Sequence, residues 1–514
     1  MKTYLLVVLG FGLGTAVSTF ELRGQEFAHV PKVFVSEASR LDWVYALTEK
    51  SPAEPPADLT PGYIPHRQSY EYFGPTESLA GEPHALVIDI SPQNNPKGWY
   101  FWELICRHHQ VVYAGLREMG NGVPLPKRAR AVLDVLDDVR SKTSIDSERT
   151  YLVGFSGGAP VACQVAFRLP EYFGGIICLA AWPNLPDDPW LIDRVAQKLG
   201  VVLIAGEREM AGPLNREVYG PLYNGIGIQT KVIVMRRRGH VMPETDDLAE
   251  AFAWLEEGLQ ERREIAKKFP ATSMADAPNR EEFARRIFVE AQARLANPKL
   301  INSGLNQLDG ITKRWPDLPQ ADESKMLLAK QSVRDKLSWE VASAKRRTDS
   351  LRFEAAGYER LARQTPKPLK SSKRSLTLRA MALWQQLANE SLEQESAAEA
   401  NNHLHGLQEL VAAEPAQLQP PPLNRFRFNV VGTVTLDQGI EYFRRAVEPL
   451  GYQVLIDDTA AQSAHIDHQR EYKLNLPAGR ISDIESRFFH RAGLNVVIDG
   501  PTIRLVPRKA PQKP

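Results

Sequence analysis

A serine flanked by glycines is the feature of this sequence with the clearest chemical meaning. The segment Gly154-Phe155-Ser156-Gly157-Gly158 follows an apolar run and precedes a helical pattern over residues 159–169. A sharp strand-to-helix turn exposes the serine hydroxyl, and glycines are needed there because side chains would collide with the strand and the helix. Ser156 is therefore the candidate nucleophile. The Gly157 amide is a candidate oxyanion donor, since it lies at the positive end of the helix.

A serine hydroxyl needs a general base, which in this arrangement follows the last strand. His240 lies after the apolar run of residues 230–235, in the phrase Gly239-His240-Val241-Met242-Pro243. A carboxylate should orient the imidazole from the end of the preceding strand. Two glutamates follow that strand, and its register favours Glu209, with Glu207 as the alternative acid. The sequence thus predicts a triad of Ser156, His240 and Glu209.

The second oxyanion donor should come from the loop after the apolar run of residues 84–90. Ser91 is the candidate, because Pro92 has no amide hydrogen to donate. A mechanism of this type uses neither a metal nor an organic cofactor, so we expect none. The three cysteines show no metal-ligand spacing, although Cys163 and Cys178 could pair in an oxidising compartment.

The elements that must position these residues alternate along the chain. Amphipathic helical patterns separate short apolar runs that predict strands at residues 84–90, 110–114, 150–154, 175–180, 201–205 and 230–235. Such alternation is typical of a mostly parallel sheet with helices on both faces. Residues 62–263 are predicted to form this unit.

The unit resembles secreted α/β hydrolases of the polyhydroxyalkanoate-depolymerase and feruloyl-esterase type. Residues 145–159 are close to the elbow segment of that family, and residues 239–243 also fit it. The resemblance implies an α/β-hydrolase fold and an esterase that cleaves carboxylic esters, small or polymeric, through an acyl-enzyme. Two features depart from the family: a glutamate replaces the usual aspartate, and the loop of residues 91–95 lacks a glycine-rich turn. A catalytically inactive hydrolase-fold scaffold or binding protein of the cell envelope is the alternative.

Two further regions follow this unit. Residues 264–413 are predicted to be all-helical, and residues 304–316 resemble half of a tetratricopeptide-like hairpin. A Pro-rich linker, residues 414–424, leads to a small α+β unit at residues 425–508, with the order strand, helix, strand, strand, helix, strand, strand. That order and the turn within residues 493–503 resemble the short N-terminal domain of secretins and TonB-dependent receptors.

The position of the triad suggests a division of labour along the chain. All candidate catalytic residues precede residue 264. We therefore expect a chain ending near Arg263 to fold and hydrolyse small esters, while the later regions bind a large substrate, an envelope protein or the cell wall.

The net charge of the chain bears on its partners, and its first residues bear on its location in the cell. The chain has 63 Lys and Arg against 62 Asp and Glu, so we do not expect nucleic acid as a partner. Residues 1–18 predict a cleaved signal peptide, with an uncleaved membrane anchor as the alternative. Residues 19–61 predict an extended N-terminal arm packed on the next unit. The sequence thus predicts an exported protein, periplasmic or extracellular.

Overall fold

The computed structural model describes the chain in ranges separated by gaps. These are residues 26–41, 59–76, 82–96, 98–183, 185, 188–273, 279–331, 333–364, 370–391, 393–413, 428–447, 452–456, 466–467, 469–479, 481–499 and 502–508. The predicted signal peptide, residues 1–18, and the predicted linker, residues 414–424, lie outside the described residues.

The main sheet of the described chain carries eight strands. They are β1 (Phe27–Phe34), β2 (Ser69–Pro75), β3 (His84–Ile90), β4 (Val112–Leu116), β5 (Ile145–Phe155), β6 (Gly175–Leu179), β7 (Gly200–Gly206) and β8 (Thr230–Met235). Their order is β1-β2-β4-β3-β5-β6-β7-β8, and β2 is antiparallel to β1 and β4 while the other pairs are parallel. The predicted fold class, a mostly parallel α/β-hydrolase sheet with helices on both faces, is confirmed.

Helices cover both faces of this sheet. They are α1 (Gly98–His109), α2 (Leu125–Lys142), α3 (Ala159–Arg168), α4 (Pro189–Lys198), α5 (Ala211–Leu214), α6 (Gly220–Gly225), α7 (Thr245–Glu257) and α8 (Leu259–Lys268), and the π-helical turn Asn215–Tyr219 joins α5 to α6. Trp102 of α1 and Phe252 of α7 belong to the apolar core on one face. The α2, α3 and α4 helices supply the core on the other. No described helix has the length and apolar character needed to span a membrane.

Part of the predicted N-terminal arm is a strand of the sheet. The β1 strand pairs along β2 at the sheet edge, and the serines that follow it are bound by α2. The backbone N–H of Ser36 donates to Asp138, at 2.8 Å, and that of Ser39 donates to Asp134, at 2.7 Å. The mostly exposed pattern of β1 carries no apolar alternation, so its sequence does not distinguish it from a loop.

The helical region shares its core with the sheet. It contains α9 (Arg280–Leu295), α10 (Ile301–Arg314), α11 (Pro319–Lys330), α12 (Val333–Gln364), α13 (Lys370–Glu390) and α14 (Gln394–Ala413). The α10 helix approaches Trp190 of α4 so closely that a Cβ on Gly310 would lie 2.1 Å from the indole. One continuous cluster of buried side chains runs from the sheet through these helices. The boundary predicted after residue 263 is therefore not a boundary between independent cores.

The C-terminal unit has a core of its own. Its elements are β9 (Phe428–Thr435), α15 (Leu436–Val447), β10 (Gln453–Ile456), β11 (Glu471–Gly479), α16 (Ile481–Ile484) with the π-helical turn Glu485–Phe489, β12 (Leu494–Asp499) and β13 (Thr502–Pro507). This is the predicted order of strands and helices. The strands form two small sheets, β10-β13-β12 and β11-β9. Phe443, Phe488 and Phe489 lie in a buried cluster separate from the core of the main sheet.

Candidate active site

The turn that carries Ser156 is tight and strained. Ser156 follows the last residue of β5 with a φ of +51°, in the left-handed region that non-glycine residues rarely occupy. Close backbone approaches explain two of the glycines. A Cβ on Gly154 would lie 2.6 Å from the Ala159 Cα, and one on Gly158 would lie 1.8 Å from the Ile90 carbonyl oxygen. The turn thus presents the serine hydroxyl at the start of α3, as the motif predicts.

His240 lies between the other two members of the predicted triad. Its Nε2 is 2.9 Å from the Ser156 Oγ, and its Nδ1 is 2.6 Å from the Glu209 Oε2. The histidine side chain is 52% exposed and that of Glu209 is 10% exposed. With its proton on Nδ1, the imidazole can accept the serine proton on Nε2. The three side chains therefore have the connectivity that general-base activation of a serine requires.

The two candidate acids occupy different positions. The second carboxylate oxygen of Glu209 accepts from the amide of Gly206, the last residue of β7, at 2.9 Å. Glu207 instead accepts from the backbone amide of Arg237 at 2.8 Å. The structure therefore brings Glu209 to His240 and leaves Glu207 bound to the neighbouring turn.

The two candidate oxyanion donors follow neighbouring strands. Ile90 at the end of β3 pairs with Gly154 of β5, so Ser91 and Gly157 leave the same edge of the sheet side by side. The Ser91 hydroxyl accepts from the Gln93 amide at 3.0 Å. The backbone amides of Ser91 and Gly157 remain the candidate oxyanion donors.

Two residues that sequence reasoning missed lie against these donors. Arg128 of α2 is buried and donates to the carbonyl oxygens of Ser91 and Gly157. Asn121 packs against Gly157, since a Cβ there would lie 2.0 Å from the Asn121 Oδ1. No sequence signal identifies Arg128, because basic residues near the start of an amphipathic helix usually face solvent.

A buried carboxylate lies two residues before Ser91. Asp89 of β3 accepts a hydrogen bond from the Tyr113 hydroxyl at 3.1 Å. Burial raises the pKa of Asp89 to about 7, and the nearby Glu71 adds to the increase. The sheet beneath the site therefore carries a group that titrates near neutral pH.

A cavity of about 370 Å³ lies between the α/β unit and the helical region. Its walls include Leu185 from the loop after β6, Tyr219 from the π-helical turn, and Glu354 and Arg379 from α12 and α13. Trp182 stacks in parallel on Tyr219, with ring centroids 6.5 Å apart. The loop that follows β6 thus connects the strand beside Ser156 to a cavity that the helical region helps to form.

Comparisons with known proteins give likenesses of fold. No family model matches the chain, and no curated protein matches it. Est1E from Butyrivibrio proteoclasticus is similar at 14% identity, with a TM-score of 0.28, over 38% of this chain and 96% of that one. Esterase PE8 is similar at 20% identity and a TM-score of 0.28, over 36% and 97% of the two chains. Esterase B from Lactobacillus rhamnosis is similar at 12% identity and a TM-score of 0.30, over 43% and 87%.

Proposed function

We propose that the chain is a serine hydrolase that cleaves carboxylic esters. Support comes from one observation above all: the Ser156 Oγ, the imidazole of His240 and the Glu209 carboxylate form a chain of contacts of 2.9 and 2.6 Å. A histidine between a serine and a carboxylate is the arrangement that makes a hydroxyl nucleophilic at neutral pH.

In the proposed acylation step, the Ser156 oxygen attacks the ester carbonyl carbon while His240 Nε2 takes the serine proton. Glu209 holds the imidazole in the correct tautomer and stabilises its charged form. The carbonyl oxygen becomes negative in the tetrahedral intermediate, where the amides of Gly157 and Ser91 stabilise it. His240 then returns the proton to the alcohol as it leaves, and the acyl group remains on Ser156.

In the proposed deacylation step, water replaces the alcohol. His240 takes a proton from the water, which attacks the acyl carbon, and the same two amides stabilise the second intermediate. Collapse of that intermediate releases the carboxylic acid, and His240 returns the proton to Ser156. The proposed roles of these residues thus account for each proton transfer and each charged intermediate of the cycle.

The proposed substrate class and location rest on the sequence. Resemblance to polyhydroxyalkanoate depolymerases and feruloyl esterases favours a carboxylic ester, small or polymeric, in an exported setting. We propose that the secretin-like C-terminal unit binds an envelope protein or the cell wall.

Hydrolysis of p-nitrophenyl acetate tests this proposal. The full chain should release p-nitrophenolate with saturation kinetics, and Ser156→Ala should reduce kcat by roughly 10⁴-fold or more. A folded wild-type chain with no activity on this ester or on longer acyl esters would favour the inactive scaffold. Ser141→Ala, at a serine of α2 bonded to the Asp138 carbonyl, is the matched control and should leave kcat unchanged.

A further inference from the structure

Arg128 is a buried cation that the proposed catalytic cycle does not use. Only 5% of the residue is exposed, and its polar partners in the described part of the chain are oxygens of neutral groups. Burial lowers the pKa of its guanidinium to about 10, so the group still carries its charge at neutral pH. A buried charge without an opposite charge is costly, and it is retained only where hydrogen bonds satisfy its donors.

The guanidinium of Arg128 connects three loops. Its Nε donates to the Met119 carbonyl at 2.7 Å, its Nη1 to the Gly157 carbonyl at 2.7 Å, and its Nη2 to the Ser91 carbonyl at 3.0 Å. These residues follow β4, β5 and β3, which are neighbours in the sheet in the order β4-β3-β5. One rigid planar fork therefore fixes the carboxyl ends of three adjacent strands relative to one another.

Two of the three carbonyls belong to the candidate oxyanion donors. Gly157 has no side chain to restrict its backbone, so a hydrogen bond to its carbonyl limits the directions in which its amide can point. Ser91 lies in a loop without the glycine-rich turn of related hydrolases, and its carbonyl is held in the same way. Arg128 thus binds the carbonyl oxygens of both residues whose N–H groups would bind the substrate oxygen.

The loop after β4 closes the arrangement. The Asn121 amide donates to the Pro92 carbonyl at 2.9 Å, which ties this loop to the loop of Ser91. The Asn121 side chain packs against Gly157, and its Oδ1 lies 3.5 Å from the Arg128 Nη1. Arg128 and Asn121 therefore both contact the loops that carry the two donors.

We propose that Arg128 is a positioning residue that holds the Ser91 and Gly157 amides in the geometry that binds the oxyanion. The inference rests on the proposed function. The guanidinium acts through the two amides without touching substrate. Because the oxyanion exists only in the transition state and intermediates, loss of Arg128 lowers kcat and leaves KM nearly unchanged.

Kinetics of Arg128→Lys and Arg128→Met on p-nitrophenyl acetate test this role. Lysine keeps the charge but cannot reach three carbonyls, so kcat should fall roughly 10- to 100-fold, and further in Arg128→Met, with KM within about two-fold of wild type. Arg128→Lys also serves as the informative variant if Arg128→Met does not fold. Active-site titration and thermal unfolding establish the folded fraction of each variant.

Arg130→Met is the matched control. Arg130 lies on the same helix, is 6% exposed, and donates to Asp134 and to the Ser39 carbonyl, both at 3.2 Å. Its loss should lower the unfolding temperature and leave kcat per folded molecule unchanged. A purely structural Arg128 would behave in the same way.

Chemical rescue separates positioning from stability. Methylguanidinium added to Arg128→Ala should restore part of the lost kcat, and it should have no effect on Arg130→Ala. A kcat within about two-fold of wild type in both Arg128→Lys and Arg128→Met, with Ser156→Ala inactive, would overturn the inference alone. Hydrolysis that survives Ser156→Ala would overturn the proposed function and this inference with it.

Discussion

Two clusters centred on a glutamate lie at opposite ends of α3. At the N-terminal end of the helix, beside Ser156, Glu209 contacts His240, whose side chain is 52% exposed. After the helix, Glu171 is fully buried and bridges Arg194 of α4, at 3.2 Å, to Arg314 of α10, at 3.0 Å. One cluster opens to solvent beside a serine, and the other joins the α/β unit to the helical region.

The difference lies in what each nitrogen partner can do. An imidazole gains and loses a proton near neutral pH, so a carboxylate beside it can control proton transfer. A guanidinium stays charged, so Glu171 can only hold its partners in place. We therefore expect substitutions in the first cluster to change rate and those in the second to change stability.

The largest effect should come from truncation. A chain ending at Arg263 loses α9 to α14 and exposes the faces of α4 and of the Glu171 turn that these helices cover, so we expect no cooperative unfolding transition. This reverses the expectation from the sequence alone. A chain ending at Ala413 keeps that core and loses the C-terminal unit, which has a core of its own. It should therefore fold and hydrolyse p-nitrophenyl acetate. Circular dichroism melts compare the two, and a cooperative melt of the shorter chain would contradict the shared core.

The next effect should be on rate. Glu209→Gln removes the charge that orients His240, and we expect kcat to fall by roughly 10³- to 10⁴-fold with little change in unfolding temperature. Glu207→Gln is the matched control and should keep kcat within about three-fold of wild type, since its carboxylate contacts a backbone amide elsewhere. Steady-state kinetics on one ester measure both variants. The reverse ranking would move the acid to Glu207.

Glu171→Gln should act on stability alone. The substitution removes the negative charge that faces two buried guanidinium groups. Breaking such a buried cluster lowers the free energy of unfolding by about 3–5 kcal/mol. Urea denaturation measures the loss, while kcat per folded molecule should stay at the wild-type value. Glu282→Gln, at the exposed pair with Arg285, is the control and should change neither quantity measurably. A small loss in Glu171→Gln would mean that the apolar contacts alone hold the two regions together.

Asp89 extends the comparison to a buried carboxylate whose hydrogen-bond partner among the described residues is a tyrosine hydroxyl. Its pKa rises to about 7 on folding, so the folded state binds the proton more tightly than the unfolded state. The contribution of Asp89 to stability should be greatest below about pH 4 and should fall by on the order of 2–4 kcal/mol as the pH rises through about 7. Free energies of unfolding measured between pH 4 and 8 should therefore lack this decrease in Asp89→Asn and show it in the wild-type chain. Parallel curves for the two proteins would contradict burial of an ionisable Asp89.

The smallest effect concerns a hydroxyl pair at the same interface as Glu171. The hydroxyls of Tyr219 and Tyr358 lie 2.9 Å apart, and both residues are buried. Tyr358→Phe removes one hydrogen bond and keeps the ring, so we expect about 1 kcal/mol of lost stability in urea denaturation and an unchanged kcat. A loss as large as that of Glu171→Gln would place the hydroxyl pair, instead of the ion pairs, at the centre of the interface.

Local patterns predicted the parts of the molecule that depend on local chemistry. The strands β3 to β8 and the turn at Ser156 follow from short runs of apolar residues and from glycines at fixed spacing. The order of Ser156, Glu209 and His240 along the chain gave candidates that the structure brings together.

Non-local contacts account for what the sequence did not reveal. The burial of Arg128 depends on three loops from separate parts of the chain. The sequence of its helix alone predicts that the basic residues of the first turns face solvent. The docking of α10 depends on Gly310 meeting Trp190, more than 100 residues earlier. The β1 strand is mostly exposed and has only β2 as a partner, so its pattern is too weak to predict.

Fluorophosphonate labelling tests the central claim, that Ser156 is an activated nucleophile, most directly. The probe reacts with a serine that has a base and an oxyanion site and needs little substrate specificity. Peptide mass spectrometry of the wild-type chain should show one phosphonate adduct, on Ser156, and Glu209→Gln should slow its formation. Ser156→Ala should carry no adduct. An adduct that persists in Ser156→Ala, or a folded wild-type chain that forms none, would contradict the account.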